Sequence, residues 1–382
     1  MKKKTKILLI TTSFPRATDG SEAAGSFVFD FAKKLSSQCD VLVLAPGDCR
    51  MHESLEGISV YRYWSPSRPL SNLKLSNLTD LFHLFKVFYS VQCVLSELSK
   101  ERIVHVFGLW VLPSGWWAYW IAKKLGVSYD VWALGSDIWV LGKAPLLPLV
   151  MRKVLRGAQN RYADGVLLQQ DVAALKCGGA TFLPSVRSIS FSDRQVKKKA
   201  SYRLGFLGRW HENKGVDIFL DALLSMAEPE WDKIEQVCIA GGGPMKELVV
   251  SKIKQLHALG KPVVKKGFLD KSEAESFFEE IDFLVIPSRI ESIPVVFSDA
   301  IASRVPVICT PVGDLSALGE EFGFGEVSMA VTSEALRISL LAALEGNPER
   351  YFKRYKNIRL LFDLEESVSY FLKNIPEDSS RV

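Results

Sequence analysis

Short apolar runs alternate with helix-like stretches along almost the whole chain, and this alternation constrains the fold more than any other feature. Residues 6–12, 41–45 and 103–107 are apolar runs, and helical patterns such as 27–35 and 115–124 stand between such runs. Apolar strands that alternate with helices form a mostly parallel sheet with helices on both faces. The sequence therefore predicts an α/β protein.

One break in this alternation divides the chain. Residues 186–201 are polar and basic, which is typical of a linker, and a second strand–helix series begins at residue 202. We predict an amino-terminal Rossmann-like domain over 1–185, a second one over 202–360, and a C-terminal helix over 361–382 that can pack back on the first domain. A chain of 382 residues that is 48% hydrophobic can build two cores. The expected architecture is two doubly wound domains that face each other across a cleft, with ligands beyond the carboxyl ends of the strands.

The cysteines and the amino terminus indicate the cellular compartment of the protein. Six cysteines are scattered without a Cys-x-x-Cys pair, as expected for reduced thiols of a cytoplasmic protein. The first apolar run is short for a signal peptide and ends at Pro15, so it is interpreted as a strand. No stretch is expected to span a bilayer.

Charge is distributed unevenly along the sequence. Residues 1–175 contain 21 Lys and Arg against 14 Asp and Glu, a balance of +7, whereas residues 176–382 contain 27 against 29, a balance of −2. A basic first half suits an anionic partner such as a membrane surface or a phosphorylated acceptor, and an ordinary solvated surface remains an equal alternative. The predicted place is the cytoplasm, with the inner face of the cell membrane as a candidate site of contact, and no nucleic-acid partner is expected.

Two cations follow the first strand of the second series. Arg209 and Lys214 stand just before a helical pattern that begins at Val216, so they can form an anion site at a strand end beside a helix N-terminus. The alternative is a surface Arg and a surface Lys without a ligand. Residues 241–244, Gly-Gly-Gly-Pro, lack the third glycine of a dinucleotide-binding motif, so they indicate either a turn that a ligand can approach or a plain tight turn.

Two acids surround another strand–turn–helix segment. Glu291 follows the apolar run 281–286, and Asp299 lies about two turns into the helix that starts near Pro294. The backbone N–H groups of Ser292, Ile293 and Val295 can point at a phosphate there, and Asp299 can bind hydroxyls. The alternative for Asp299 is an exposed acid on a helix.

Taken together, these motifs resemble the retaining nucleotide-sugar glycosyltransferases of family 4, which have the GT-B fold. The resemblance is carried in order by Gly208-Arg209 with Lys214-Gly215, the turn 241–244, Pro287-Ser288 with Glu291 and Asp299, and the segment 304–313. It is looser in the first half, at Gly25 and at the segments 104–115 and 132–139.

The resemblance implies a donor side in the second domain and an acceptor side in the first. Arg209 and Lys214 would bind the donor diphosphate, Glu291 the donor sugar and Asp299 the ribose, and Arg209, Lys214 and Glu291 are the implied catalytic residues. The remaining donor-binding positions are Gly25 beside the diphosphate, Phe268 and Leu269 near the base, and Gly242, Ile293 and Val295.

This sequence departs from the family pattern at two positions. Asp299 stands where the family has a second Glu, and Leu134 stands where it often has a His before Gly-Ser-Asp. His105 and Asp137 are the acceptor-side candidates that remain. The alternatives are a buried structural His and an Asp that caps the helix from Ile138 onward.

The implied activity is transfer of a sugar, with retention, from a nucleotide-diphosphate sugar to a hydroxyl of a glycan or lipid-linked acceptor in cell-envelope or exopolysaccharide synthesis. No Asp-x-Asp pair is present, so no metal and no cofactor are expected. The tryptophans of the first half are expected to pack in its core or to line an acceptor groove, and residues 78–98 form an apolar helix that can contact lipid or a partner. A non-catalytic nucleotide-sugar-binding or scaffolding protein of the same fold is the alternative.

Overall fold

The computed structural model describes residues 6–16, 25–66, 70, 73, 77–139, 147–190 and 196–376. The chain divides into two compact units. The first unit consists of Met1–Ser185 together with Leu364–Val382, and the second of Val186–Asp363.

The first unit is built on an eight-stranded sheet. Its strands are β1 (Lys6–Ile10), β2 (Asp40–Gly47), β3 (Met51–Leu55), β4 (Ile58–Trp64), β5 (Ile103–Leu109), β6 (Ser128–Ala133), β7 (Arg161–Ala163) and β8 (Thr181–Phe182). The order across the sheet is β3-β4-β2-β1-β5-β6-β7-β8, and every neighbouring pair is parallel except β3 with β4. The strand order reverses between β1 and β5, which is where such sheets open a crevice for ligands.

Helices cover both faces of this sheet. They are α1 (Ser26–Ser36), α2 (Leu78–Leu98), α3 (Ser114–Leu125), α4 (Ser136–Trp139), α5 (Leu147–Gly157), α6 (Val166–Ala174) and the C-terminal α15 (Leu364–Lys373). One hydrophobic cluster joins α2, α3 and α5 to alternate residues of the strands, Leu8 and Ile10 among them. Both faces are therefore buried, which explains why the strands appear in the sequence as continuous apolar runs.

Helix α15 lies on the opposite face of the same sheet. The ring of Phe371 stacks on Phe107 of β5 with centroids 4.5 Å apart and meets Phe31 of α1 at 5.6 Å. The carbonyl of Asn374 accepts a hydrogen bond of 3.0 Å from the side chain of Asn160. This helix thus belongs to the first unit although it follows the second unit in sequence.

Helix α2 corrects one expectation of the sequence analysis. It has 21 residues and is long and apolar enough, by length and composition alone, to cross a membrane, whereas no such stretch was expected. In the structure, however, Val87, Val91, Val94 and Leu98 on one side of the helix are buried in the cluster against the sheet. The high hydropathy arises because the opposite side of α2 is apolar as well.

The second unit has a six-stranded sheet in which all neighbours are parallel. Its strands are β9 (Tyr202–Arg209), β10 (Ile234–Gly242), β11 (Val263–Lys266), β12 (Phe283–Ile286), β13 (Val307–Cys309) and β14 (Gly325–Val327). The order β11-β10-β9-β12-β13-β14 is that of the Rossmann fold, whose ligands bind where the order reverses. Here the reversal falls between β9 and β12.

The helices of the second unit follow its strands. They are α7 (Val216–Leu224), α8 (Glu228–Trp231), α9 (Lys246–Ala258), α10 (Lys271–Glu280), α11 (Val295–Ala302), α12 (Leu315–Phe322), α13 (Ser333–Glu345) and α14 (Tyr355–Leu361). Short 3-10 helices span Glu212–Lys214 and Pro348–Phe352.

The segment predicted as a linker packs on the second unit. Val196 is buried in the core of that unit, and Lys199 Nζ lies 2.7 Å from a carboxylate oxygen of the fully buried Asp282. Residues 191–195 of the segment lie outside the described residues, as do 377–382 of the predicted C-terminal segment. The basic residues that suggested a solvated linker here serve in part to pair with buried acids.

Candidate functional site

Three of the predicted donor-side residues, Arg209, Lys214 and Glu291, lie at or just after the ends of β9 and β12, the strands between which the order reverses in the second unit. Arg209 ends β9, and Lys214 ends the 3-10 helix that follows it. The loop from Pro287 to Glu291 follows β12, the strand next to β9 in the sheet. The Arg209 side chain is exposed and forms no ion pair with any side chain in the described part of the chain.

Gly215 brings the two loops together. Its φ is +64°, and a side chain there would collide with the carbonyl of Pro287. Only glycine satisfies both conditions, because other residues rarely adopt this conformation and none has room beside the carbonyl. The preceding residue, Lys214, is therefore held against the loop after β12, where its ammonium forms an ion pair with Glu291. The side chain of Glu291 is only 14% exposed.

Arg289 fastens the same two loops to each other. Its guanidinium bonds both carboxylate oxygens of Asp217 at 2.8 and 2.6 Å and the carbonyl of Glu212 at 2.7 Å. Its backbone N–H donates to the carbonyl of Asn213 at 2.8 Å. Although burial opposes it, the bond from Arg289 holds the pKa of Asp217 below its usual value. Nothing in the sequence predicts these contacts, even though Arg289 lies within the motif between Ser288 and Glu291.

A second glycine shapes the loop that leads into α11. Gly313 has a φ of +54°, and a side chain there would collide with the carbonyl of Ser292. The hydroxyl of Ser292 is buried and has no hydrogen-bond partner among the described residues. A buried hydroxyl without a partner is costly, so this atom is a candidate ligand contact next to the N-terminus of α11. Ile293 is buried and Val295 half-buried, in the same stretch.

Asp299 is neither an exposed acid nor a free one. It lies in α11 with 1% of its side chain exposed, and Arg187 Nε lies 3.1 and 3.0 Å from its two carboxylate oxygens. A second guanidinium nitrogen of Arg187 also bonds this carboxylate. Arg187 was not predicted as a partner, because it stands in the polar stretch interpreted as a linker and nothing in the local sequence distinguishes it. The expected ribose-binding acid is therefore already neutralised by a partner from its own unit.

The glycine turn after β10 is explained by tight packing. Gly241 and Gly243 have φ values of +134° and +150°, and a Cβ at Gly243 would lie 2.6 Å from the carbonyl oxygen of Trp210. The ring of Phe268 lies against Gly242, where it would stand 2.7 Å from an added Cβ, and is 48% exposed. Leu269, beside it, is half-buried. Tight packing of a plain turn accounts for these glycines. Phe268 presents an exposed ring beside this turn.

In the first unit, Gly25 and Asp137 organise loops at the carboxyl ends of β1, β5 and β6. A Cβ at Gly25 would lie 2.9 Å from the backbone of Phe14, so the loop after β1 approaches α1 closely. Asp137 is buried and accepts backbone N–H bonds from Val111 at 2.6 Å, Ile138 at 3.1 Å and Leu134 at 3.2 Å. Burial raises the pKa of Asp137 to about 6, against the opposing effect of these bonds. The structure favours the capping alternative for Asp137.

His105 is a structural residue, which corrects its place among the acceptor-side candidates. It is the third residue of β5, far from that strand's carboxyl end, and its side chain is fully buried. Its Nδ1 lies 2.8 Å from the Ser128 hydroxyl, and its Nε2 lies 3.1 Å from a carboxylate oxygen of Asp130. A His that is enclosed on all sides in this way cannot reach a bound acceptor.

The tryptophans of the first unit serve mainly as packing. Trp132 is fully buried and donates its indole N–H to the carbonyl of Leu183 at 3.0 Å, and Trp117 is buried against Tyr63. Trp120 is the exception, with 47% of its surface exposed. In the described part of the chain, no group of three or more His, Cys, Asp or Glu side chains could hold a metal ion.

Part of the chain matches a known family, and its fold matches that of solved structures. Residues 201–339 match the family described as "Glycosyl transferases group 1", and the whole chain has the GT-B fold of the solved glycosyltransferase structures that resemble it. The predicted resemblance is confirmed at this level, and the narrower assignment to family 4 stays a prediction.

Three similar proteins illustrate the relationship. The chain is 25% identical over 239 residues to "Putative teichuronic acid biosynthesis glycosyltransferase TuaC" of Bacillus subtilis, covering 58% of this chain and 57% of that protein. It is 26% identical over 149 residues to the lipopolysaccharide core biosynthesis mannosyltransferase LpsB of Rhizobium meliloti, covering 37% and 40%. The structure of Anabaena Alr3699/HepE in complex with UDP and glucose superposes with a TM-score of 0.70 at 14% identity, covering 97% of this chain and all of that one. The sequence matches thus span about half of the curated relatives' length.

Proposed function

We propose that this protein transfers a sugar, with retention, from a nucleotide-diphosphate sugar to a hydroxyl of a glycan or lipid-linked acceptor in cell-envelope polysaccharide synthesis. One observation carries the proposal. Lys214 and Glu291 form an ion pair at the β9–β12 reversal of the second unit, beside the exposed Arg209. Two cations and a carboxylate at this position suit a substrate that combines a diphosphate with a hydroxyl-rich ring.

The diphosphate would be bound by Arg209, Lys214 and the start of α11. Arg209 lacks an ion-pair partner in the described structure, Lys214 is one-third exposed, and the Ser292 hydroxyl lacks a partner. Charge develops on the diphosphate as the sugar departs, so fixed cations there stabilise the transition state more than the ground state. This role requires no metal ion, and we infer that the reaction proceeds without one.

The sugar would be bound by Glu291. Its carboxylate can accept hydrogen bonds from two adjacent hydroxyls, and the ion pair with Lys214 holds it in place until a donor arrives. No residue in the motifs is placed as a nucleophile, so we propose same-face attack by the acceptor hydroxyl. The names of the curated relatives support an envelope polysaccharide or lipopolysaccharide acceptor, and the complex of the Anabaena protein with UDP and glucose supports a hexose donor.

A non-catalytic nucleotide-sugar-binding or scaffolding protein is the second candidate. The Asp299–Arg187 pair favours it, because the acid expected to hold the ribose is occupied. Leu134, in place of the family's frequent His, points in the same direction.

A panel of nucleotide sugars separates the two candidates. Thermal stabilisation identifies the donors that bind, and release of the nucleoside diphosphate without and with envelope-derived acceptors measures turnover. Lys214→Ala should lower turnover on the order of 100-fold, whereas Lys252→Ala should leave it nearly unchanged, because Lys252 of α9 forms its ion pair with Asp221 of α7 and not with Glu291. Binding of a nucleotide sugar without any turnover would favour the non-catalytic candidate. The absence of both binding and turnover would refute the two proposed functions together.

A further inference from the structure

One side of α2 is an exposed apolar surface, called here the apolar stripe. Its members are Leu78, Leu81, Phe82, Phe85, Phe88 and Tyr89, whose exposed fractions run from 46% at Phe88 to 84% at Leu78. At about 100° per residue these side chains fall within an arc of about 120° and extend along about 17 Å of helix. Exposed apolar patches of this kind mark interaction sites more often than chance.

The rest of the helix shows that the stripe is separate from its packing face. Val87, Val91, Val94 and Leu98 are buried on the opposite side, against the sheet. Beyond Tyr89 the outward side becomes polar, with Ser96 exposed in the last turns. Only the first three turns of α2 therefore present apolar side chains to the outside.

The layer of helices that contains α2 carries positive charge. Helices α3 and α5 lie in the same layer, joined to α2 by one hydrophobic cluster. The described side chains of the three helices include six exposed cations and one exposed acid, Glu97. The cations are Lys86, Lys123, Lys124, Arg152, Lys153 and Arg156. Trp120 and Leu149 add exposed apolar surface to this layer, at 47% and 60%.

We propose that the α2–α3–α5 layer docks on an anionic lipid bilayer, with the apolar stripe in the boundary between headgroups and acyl chains. Amphipathic surfaces that combine aromatic and Leu side chains with Lys and Arg bind in this way. A second copy of the chain fits this layer less well, because pairing two such layers would bring like charges together. The helix does not cross the bilayer, since its inner side is part of the core of the first unit. The inference is independent of the donor chemistry proposed above.

Binding of the full chain to liposomes tests the proposal without any activity measurement. Vesicles of phosphatidylcholine with and without phosphatidylglycerol are sedimented with the protein at rising salt. We expect binding to the anionic vesicles only, and release as the Debye length shortens from about 10 Å at 0.1 M to about 3 Å at 1 M salt. The double variant R152A/R156A should weaken binding about 25-fold, from about fivefold for each cation.

Substitution in the stripe separates insertion from simple attraction. Phe85→Glu should weaken binding more than tenfold, whereas Ile338→Glu should leave it unchanged, because Ile338 is a comparably exposed apolar residue (58%) on a helix of the second unit. A dye on Phe85→Cys, in a Cys49→Ser background that removes the exposed cysteine, should shift to the blue on binding. Equal binding to neutral vesicles, no binding, no dye shift, or a dimer in solution that Phe85→Glu dissociates would each overturn the proposal.

Discussion

Arg187→Ala is expected to destabilise the second unit by about 3–5 kcal/mol. Asp299 is 1% exposed and Arg187 17% exposed, so the pair is buried and both carboxylate oxygens receive hydrogen bonds from the guanidinium. Removing Arg187 takes the guanidinium away from both oxygens of a carboxylate in the protein interior. The cost of a buried negative charge that has lost its guanidinium, and not the loss of one surface contact, sets this magnitude.

A double-mutant cycle isolates the pair. R187A/D299A removes both charges and should therefore cost less than Arg187→Ala alone, which gives a large coupling energy. Arg203→Ala is the matched control, because Arg203 pairs with Glu235 in the same unit with both side chains 43% exposed. Exposed pairs of this kind contribute about 0–1 kcal/mol.

Hydrogen exchange measured by mass spectrometry suits a chain of two units, for which a single unfolding free energy is not well defined. Peptides that cover α11 and β13 should lose protection in Arg187→Ala and keep it in Arg203→Ala. Equal effects of the two variants, or a double variant as unstable as Arg187→Ala, would refute the reasoning.

The pair also makes a prediction for ligand binding. If Asp299 stays paired with Arg187, its carboxylate does not bind the ribose hydroxyls. The protein should then bind the 2′-deoxy form of its preferred nucleoside diphosphate nearly as well as the ribose form. A strong preference for ribose that Asp299→Ala abolishes would show that the carboxylate leaves Arg187 to hold the sugar hydroxyls.

Three further predictions concern chemistry and pH. Arg209→Ala and Lys214→Ala should each lower kcat on the order of 100-fold at unchanged stability, and a kcat near that of the wild type would contradict the proposed diphosphate contacts. Turnover by the wild-type protein should survive EDTA, and a strict need for Mg²⁺ or Mn²⁺ would contradict the same contacts. Glu291→Gln should lower kcat far more than it raises the donor KM and should leave binding of the free nucleoside diphosphate unchanged, because its contacts tighten as the ring flattens; equal weakening of the diphosphate would place Glu291 on the nucleotide instead. The pKa of Asp137 is about 6 in the native state against an ordinary value of 3.8, so the protonated carboxyl contributes fully to stability below about pH 4, and this contribution is lost as pH rises through about 6. Asp137→Asn should remove this component, on the order of 3 kcal/mol, from the pH dependence of urea unfolding of the first unit. An unchanged pH profile would contradict the raised pKa.

Much of the fold could be predicted from local patterns. Most residues of β1, β5, β9 and β12 are apolar and buried, and such strands are recognisable because they form nearly continuous apolar runs. The donor-side motif could be predicted as well. Parallel strands end at one edge of a sheet, so Lys214 and Glu291, which each follow a strand, are expected near each other.

Partners that are distant in sequence could not be predicted. Arg187 lies 112 positions from Asp299, and His105 lies 25 positions from Asp130, so no short-range pattern links them. The linker interpretation was misleading for the same reason, since composition alone does not tell a solvated cation from one that neutralises a buried acid such as Asp282.

The sequence by itself therefore determined which residues form the strands, where their loops carry charge, and that residues 78–98 form an apolar helix. Only the tertiary structure decided which charges are free. It left Arg209 exposed, paired Asp299 with Arg187, enclosed His105, and turned one side of α2 outward in a layer of helices that carries six exposed cations. The physical reason is that periodicity is a property of neighbouring residues, whereas burial and charge pairing depend on which segments the fold brings together.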